Sequence, residues 1–314
     1  MTWLERTGLT QHLRSAMAWA RRHRTAIGYL FSLLLLAFLG RYLYKNWQLL
    51  SAHDFTFEPL YLVLSLLLIV PTFWFPALLW WRIVVDVLHV EVAWRPAARL
   101  WFTSQISRYL PGGVWNYLSR VYLFAEQGVP AGQTALGLVL ETVLSLMAQV
   151  LVFLLSLPFW FDQAASFYWA LLVLPMGLLL IHPAVLRRMM HWVERLQGKP
   201  DLPPPNLQPR WVVAALGGYL AGAILGGSAF YLFVRALYPV PGQLWPVLTG
   251  MVNLANTVGF LALFAPSGLG VRESTLALLL SWQLPGPVAV VAALASRLWL
   301  LAGELMALAI SRIL

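Results

Sequence analysis

Long uncharged stretches constrain this sequence more than any other feature. Residues 60–81, 211–234 and 274–296 contain no Asp, Glu, Lys or Arg, although Pro71 and Pro76 lie within the first stretch. Each stretch is close to the roughly 20 apolar residues that a helix needs to cross a bilayer. Only 11% of the residues are charged, whereas a soluble chain carries roughly 25% charged residues to solvate its surface. The sequence therefore predicts an all-α, polytopic membrane protein.

The charged residues argue against several classes of function. The net charge of +9 comes almost wholly from arginines in short segments between apolar stretches, which is typical of cytoplasmic loops and not of a nucleic-acid site. Without cysteine there is no thiolate nucleophile and no cysteine metal site. The few Asp and His residues are scattered, and the sequence has no P-loop, nucleophile elbow or dinucleotide fingerprint. We expect no metal, no cofactor and no enzymatic activity, with a lipid-modifying glycosyltransferase as the alternative.

The distribution of arginine predicts the topology. Residues 1–24 hold five arginines and are expected to be a cytoplasmic amphipathic lead-in, followed by a first span at 25–44 with no cleavage site. Arginines also crowd residues 82–120 and the Pro-rich linker 183–210, which we expect to be cytoplasmic. The remaining spans are predicted at 60–82, 131–157, 164–182, 211–235 and 287–310. Both termini then face the cytoplasm, and we expect the bacterial inner membrane as the location.

Two segments do not fit a simple spanning helix. Residues 95–126 are split by Leu110-Pro-Gly-Gly113, and residues 245–282 by Ala265-Pro-Ser-Gly-Leu-Gly270. Proline removes a backbone donor and glycine permits a sharp turn, which is typical of the tip of a re-entrant hairpin. Kinks that help helices to pack are the alternative. The predicted tip residues are Pro111, Gly112, Gly113, Pro266, Ser267, Gly268 and Gly270.

The two broken segments occur in matching contexts. Each follows a span, and the next span begins 20 residues after Pro111 and 21 residues after Pro266. The first broken segment starts on the arginine-rich side and the second on the uncharged side. This predicts an inverted-topology repeat, in which about six full spans accompany two oppositely oriented re-entrant hairpins. Repeat 1 covers residues 60–157, repeat 2 covers 211–312, and 164–182 is a connecting span.

Charges within the apolar stretches are candidate functional residues, because each costs at least about 2.5 kcal/mol at mid-bilayer. Glu141 and Arg297 each lie ten residues into a predicted span, at equivalent places in the two repeats, and Glu304 follows. We predict a Glu141–Arg297 contact with Glu304 two turns away. A structural ion pair, a gate or independent snorkelling to the interface all remain open for these residues.

Three arginines lie beside the breaks, and the guanidinium fork suits bidentate contacts with phosphate. The positive-inside rule is the alternative explanation for Arg108 and Arg120. Polar residues near the second break either line a polar path or bond between helices. The predicted substrate-binding residues are Arg272, Arg120, Arg108, Glu273, Asn253 and Asn256.

The two breaks also carry recognisable motifs, Tyr109-Leu-Pro-Gly-Gly-Val-Trp-Asn-Tyr-Leu-Ser-Arg-Val-Tyr-Leu123 and Ala265-Pro-Ser-Gly-Leu-Gly-Val-Arg-Glu273. From about residue 25 to 312 the sequence resembles the transmembrane region of the lysylphosphatidylglycerol synthase family, also called the flippase-like family. The first motif departs from the family pattern, with Trp115-Asn116 where a Gly-acid pair is common and the arginine one position later.

The resemblance implies a flippase for anionic or aminoacylated phospholipids or polyprenyl-phosphate-linked lipids. Bifunctional members add a cytoplasmic synthase domain that uses aminoacyl-tRNA, which we do not expect in these 314 residues. Membrane lipids are the expected partners, with no nucleic acid. A homodimer stays open, as does a role as a non-catalytic membrane partner of a lipid-biosynthesis enzyme.

Overall fold

The computed structural model describes residues 57–109, 115–160, 172–180, 207–262, 265 and 268–313, together with positions 37, 41, 44, 182, 184, 185 and 188. Within this part of the chain the fold is helical and contains no strand. In chain order the α-helices are α1 Pro59–Arg82, α2 Trp94–Ile106, α3 Trp115–Ala125, α4 Ala131–Ser156, α5 Val173–Leu180, α6 Pro209–Leu237, α7 Trp245–Leu261, α8 Val271–Leu280 and α9 Gly286–Ile313.

Some sequence predictions lie outside the described residues. The lead-in 1–24 is among them, and so are most of the first span 25–44 and most of the linker 183–210. The predicted connecting span 164–182 is described mainly as the short helix α5. Five predicted tip residues also fall outside the description, namely Pro111, Gly112, Gly113, Pro266 and Ser267.

Four long helices form the frame of the fold. Helices α1, α4, α6 and α9 contain 24, 26, 29 and 28 residues. At 1.5 Å per residue each is longer than the roughly 30 Å of a bilayer's hydrocarbon core. They coincide within a few residues with the predicted spans 60–82, 131–157, 211–235 and 287–310. Together with the apolar segment Gly242–Leu261, they make five described segments that are long and apolar enough to cross a membrane, which confirms a multi-pass membrane protein.

Helix α1 continues through Pro71 and Pro76, in agreement with the predicted span 60–82. It packs against α6. At one end the Glu58 N–H donates to the Ala236 carbonyl oxygen at 3.0 Å. At the other end the Trp211 indole N–H donates to Asp86 at 3.1 Å. The two helices therefore run antiparallel along their whole length.

Three of the remaining helices are too short to cross a bilayer. Helices α2, α3 and α8 contain 13, 11 and 10 residues, which corresponds to roughly 15–20 Å. Helix α2 packs on α3 and α7 packs on α8. The α7 segment Gly242–Leu261 is itself long enough to cross a membrane. The two helix pairs are therefore unequal in length, whereas the sequence predicted two similar hairpins.

Two hydrophobic clusters lie at opposite ends of the long helices. In the first, α2 and α3 pack with the C-terminal part of α1 and the N-terminal parts of α4 and α6. In the second, α7 and α8 pack with the C-terminal parts of α4 and α6 and the N-terminal part of α9. Helices α1 and α9 therefore run in one direction and α4 and α6 in the other. The α2–α3 pair and the α7–α8 pair occupy opposite ends of the bundle.

Gly250 provides a test of this packing. A Cβ at Gly250 would lie 2.6 Å from the Cβ of Ser156 and closer still to its Oγ. The Ser156 hydroxyl is fixed, because it donates to the Phe153 carbonyl and accepts from the Trp160 indole N–H. We expect Gly250→Ala to lower the midpoint of thermal unfolding in detergent, at a cost of about 1–3 kcal/mol for an overpacked site.

Gly217 is the matched control, because it is an exposed glycine within α6 with no atom within 4 Å of an added Cβ. Gly217→Ala is expected to leave the unfolding midpoint unchanged or to raise it, since alanine stabilises helices by roughly 0.5–1 kcal/mol relative to glycine. Equal midpoints for Gly250→Ala and Gly217→Ala would contradict the close approach of α7 to α4.

Candidate functional site

A cavity of about 550 Å³ lies between the two helix pairs. It is lined by side chains from α1, α2, α3, α4, α6, α7 and α9 and by Arg272 at the start of α8. Residues that are far apart in the sequence therefore meet at one place. The sequence-predicted site residues that line it are Arg108, Arg120, Glu141, Asn253, Asn256, Arg272, Arg297 and Gly268.

The Arg120 side chain contacts residues of three other helices, α1, α2 and α4. Its side chain is only 2% exposed, its Nε–H donates to the Ser104 hydroxyl at 3.1 Å, and its Nη1 pairs with Glu141 Oε2. The guanidinium carbon also lies 4.8 Å from the Trp80 ring centroid and 5.2 Å from that of Trp101, within the range of cation–π contacts. Arg120 is thus part of the wall that joins α3 to α1, α2 and α4. A phosphate ligand would have to compete with all of these contacts.

Arg272 is buried but retains an unused donor. Its Nε–H donates to Asn256 Oδ1 at 2.7 Å, and its Nη1 donates to the Ser296 hydroxyl at 3.0 Å. Nη1 also lies 3.4 Å from Glu273 Oε1. Its Nη2 has no hydrogen-bond partner in the described part of the chain. A buried donor without an acceptor is costly, so the position is suited to an anion that enters the cavity.

The backbone at the start of α8 explains how Arg272 is positioned. Gly268 and Gly270 adopt positive φ angles of 64° and 80°, which side chains with a Cβ rarely adopt. The Gly270 N–H donates to Glu273 Oε2 at 2.8 Å, which caps the helix start. Gly259 allows α7 to approach, because a Cβ there would lie 2.8 Å from the Cβ of Arg272. The glycines of the second motif therefore serve to place this arginine against α7.

The predicted Glu141–Arg297 contact is wrong. Glu141 pairs with Arg120 and accepts a hydrogen bond from the Trp101 indole N–H at 3.0 Å. Arg297 Nη1 instead lies 3.5 Å from Glu273 Oε1. Both residues line the cavity, but Glu141 pairs with an arginine on the short helix α3 and Arg297 with a glutamate on the short helix α8. The two pairs have opposite order along the chain, with arginine first in one half and glutamate first in the other.

Among the described residues, one of these ion pairs joins residues 60–157 to residues 211–312. Arg108, in the 3₁₀ turn after α2, places Nη2 2.5 Å from Glu304 Oε1 on α9. The Glu304 side chain is 10% exposed and that of Arg108 is 31% exposed. The sequence placed Glu304 near Arg297, two turns away on the same helix, and gave no indication of Arg108 as its partner. This contact joins the segment after α2 to α9.

The cavity surface is otherwise mixed in character. Asn253 faces α6, because its Nδ2 donates to the carbonyl oxygens of Ala223 and Thr249, and this supports interhelical bonding. Gln105 on α2 also lines the cavity. Sequence reasoning missed further polar lining residues on α3 and α4, whose only signal is polar spacing on apolar helices. These are Asn116, Tyr117, Thr142, Ser145 and Gln149. Aromatic and aliphatic residues complete the wall, among them Phe73, Phe75, Leu146, Phe260 and Leu300.

The charges in and around the cavity favour an anionic ligand. Four arginines line it, namely Arg108, Arg120, Arg272 and Arg297. Three glutamates pair with them, namely Glu141, Glu273 and Glu304. Among these described residues the arginines outnumber the glutamates by one. Within the described ranges no group of three or more His, Cys, Asp or Glu residues could hold a metal ion.

Comparison with known proteins gives one match. The family model described as the lysylphosphatidylglycerol synthase TM region matches residues 25–303. No curated protein and no solved structure matches the chain.

Proposed function

The chain belongs to the lysylphosphatidylglycerol synthase TM region family, and on this premise we propose that it moves phosphate-bearing lipids across the membrane through the cavity between its two helix pairs. The proposal covers anionic or aminoacylated phospholipids and polyprenyl-phosphate-linked lipids. The observation that carries it is Arg272, which lines the cavity and is buried with an unpartnered Nη2 among arginines from both halves.

The cavity is suited to the part of a lipid that cannot enter hydrocarbon. A phosphate loses its water when it crosses the bilayer core, and arginine donors in a sheltered cavity offset that loss. Arg272, Arg297 and Arg108 are the candidate phosphate contacts, whereas Arg120 holds the wall in place. A volume of about 550 Å³ admits a head group but not its acyl chains as well. The chains therefore remain in the bilayer while the head group passes.

The architecture supports movement between two faces. We propose that α2–α3 and α7–α8 are re-entrant hairpins that enter from opposite sides, as halves of an inverted repeat formed by residues 60–157 and 211–312. Their short helices and their packing at opposite ends of α1, α4, α6 and α9 support this arrangement. Such paired interrupted segments mark substrate pathways in inverted-repeat transporters. We propose that both termini lie in the cytoplasm of a bacterial cell and that the protein lies in the inner membrane, and the basic segments of the sequence support this orientation.

Lipid translocation in liposomes tests this function. The purified chain is reconstituted with phosphatidylglycerol that carries a fluorophore on one acyl chain, and outer-leaflet label is quenched chemically. Label in the inner leaflet is protected from the quencher until its lipid reaches the outer leaflet. We expect this protection to be lost faster than in protein-free liposomes. Arg272→Gln should lower the protein-dependent rate by roughly tenfold or more, because a hydrogen bond to a charged group contributes about 1.5–3 kcal/mol.

Arg99→Gln is the control, because Arg99 is exposed on α2 and outside the cavity. It removes the same charge and should leave the rate unchanged. Equal rates in proteoliposomes and protein-free liposomes would contradict the proposal. Conversion of the labelled lipid to a new product would favour a lipid-modifying transferase instead.

A further inference from the structure

We propose that carboxamide side chains in the cavity form a subsite for hydroxyl groups, so that the preferred head group is a polyol joined to the phosphate. This rests on the proposed function and deepens it by naming what the phosphate carries. A ring polyol such as inositol or a sugar offers many hydroxyl groups, and glycerol is a smaller member of the same class. A glycerol that carries an aminoacyl ester keeps a hydroxyl group and still satisfies the rule.

Carboxamide side chains are concentrated at this cavity. All three asparagines in the described part of the chain line it, and two glutamines do so as well. They belong to four helices, α2, α3, α4 and α7. A carboxamide is uncharged and offers both a donor and an acceptor, and a hydroxyl group also does both. The residues are Gln105, Asn116, Gln149, Asn253 and Asn256.

Bonding between helices explains one of these carboxamides but leaves polar atoms of three others unused. Nδ2 of Asn253 donates to backbone carbonyl oxygens of α6 and α7. By contrast, some atoms form no side-chain hydrogen bond within the described residues, namely the carboxamide of Gln105, Oε1 of Gln149 and Nδ2 of Asn256. These three side chains are half-buried and line the cavity, so a ligand can supply the missing partners.

Asn256 connects this subsite with the phosphate contact. Its Oδ1 accepts the Nε–H of Arg272 at 2.7 Å. Its Nδ2 therefore lies beside the arginine whose Nη2 has no partner in the described part of the chain. A phosphate bound at Arg272 would place the group attached to it next to Asn256. A neutral donor at this place suits a hydroxyl oxygen.

Gln149 supplies an acceptor from α4. Its Nε2 lies 3.3 Å from the carbonyl oxygen and 3.4 Å from the hydroxyl oxygen of Ser145, one turn earlier, which leaves Oε1 as the unused atom. The oxygens of a phosphate diester only accept hydrogen bonds, so they cannot use this acceptor. A hydroxyl group donates as well as accepts, so it can use both Asn256 and Gln149. The mixture of unused donors and acceptors therefore favours hydroxyl groups over further phosphate oxygens.

Binding to the purified chain tests the subsite independently of transport. The midpoint of thermal unfolding is followed against the mole fraction of lipid in micelles of an uncharged detergent, which gives relative affinities. The lipids are phosphatidylinositol, phosphatidylglycerol and phosphatidylethanol with the same acyl chains. They carry the same charge and a decreasing number of head-group hydroxyls, down to none in phosphatidylethanol. We expect affinity to fall in that order, by roughly tenfold from the first lipid to the last.

Two variants separate the hydroxyl contacts from the phosphate contact. Gln149→Met nearly keeps the length of the side chain and removes the carboxamide. It should reduce the preference for phosphatidylinositol over phosphatidylethanol by about threefold or more and leave the affinity for phosphatidylethanol unchanged. Arg272→Gln should weaken the binding of all three lipids by a similar factor. Gln127→Met is the matched control and should keep the preference, because Gln127 is exposed and does not line the cavity.

Equal affinities for the three lipids in the unchanged protein, or no shift with any of them, would overturn the proposal. A preference that survives Gln149→Met in full would overturn it as well. A midpoint raised by soluble inositol phosphate as much as by phosphatidylinositol would support the hydroxyl subsite and identify a soluble polyol phosphate as its ligand. Graded binding combined with no translocation in liposomes would support the subsite and contradict only the proposed function.

Discussion

Replacing Arg120 by leucine is expected to lower the free energy of unfolding by about 3–5 kcal/mol, the cost typical of breaking a buried ion pair by removing one partner. Glu141 would keep its charge in the interior and lose its counter-charge. The change would also remove the donor to Ser104 and the guanidinium between Trp80 and Trp101. Unfolding in detergent followed by tryptophan fluorescence measures the effect, since two of the 16 tryptophans contact this arginine.

A second substitution separates the ion pair from the packing. Glu141→Gln retains an acceptor for the Trp101 indole N–H but removes the negative charge. In the Arg120→Leu background it should recover part of the lost stability, because the buried charge without a partner is gone. A double variant whose loss of unfolding free energy equals the sum of the losses in the two single variants would contradict this account of the ion pair.

An exposed pair provides the comparison. Arg82 and Asp86 lie four residues apart at the end of α1, with Nε 2.8 Å from Oδ2, and the Arg82 side chain is 52% exposed. Arg82→Gln is expected to cost less than about 1 kcal/mol, as is usual for surface ion pairs. The contrast between Arg82 and Arg120 would show that burial, and not the presence of an ion pair, sets the cost.

The helical frame could be predicted from the sequence because hydropathy alone determines where long apolar helices lie. The ends of α1, α4, α6 and α9 agree with the predicted spans within a few residues. Helix α1 persists through Pro71 and Pro76, as the predicted span 60–82 requires. One feature could not be predicted locally. The sequence predicted Gly242–Leu261 as one arm of a hairpin, whereas the segment is long and apolar enough to cross a membrane.

The sequence predicts which charged residues belong to the candidate site, but not which of them pair with each other. A charge in an apolar stretch is costly, so Glu141, Arg297 and Glu304 could be identified individually. Their partners depend on how short helices pack, which equivalent depth along two repeats does not specify. The pairs Arg120–Glu141 and Arg297–Glu273 each join residues close in sequence, whereas Arg108–Glu304 joins residues 196 positions apart. Trp80 and Trp101 flank Arg120 in the structure, a contact that no sequence pattern indicates.

Because the proposed route of the head group runs through the cavity, filling the cavity should stop translocation. Thr142 lines the cavity beside Glu141 and is half-buried. The chain contains no cysteine, so Thr142→Cys introduces a single reactive thiol. A negatively charged, membrane-impermeant methanethiosulfonate reagent would attach a sulfonate group there and occupy the space that the phosphate needs. Gln127→Cys is the control, because Gln127 is exposed in the turn after α3 and does not line the cavity.

The most direct measurement is therefore the translocation rate of labelled phosphatidylglycerol before and after the introduced thiol is modified, with the extent of modification determined by mass spectrometry. Unmodified Thr142→Cys and modified Gln127→Cys should both retain the rate of the unchanged protein. Fully modified Thr142→Cys should fall to the rate of protein-free liposomes. Fully modified Thr142→Cys protein that moves the lipid as fast as before would contradict passage through this cavity.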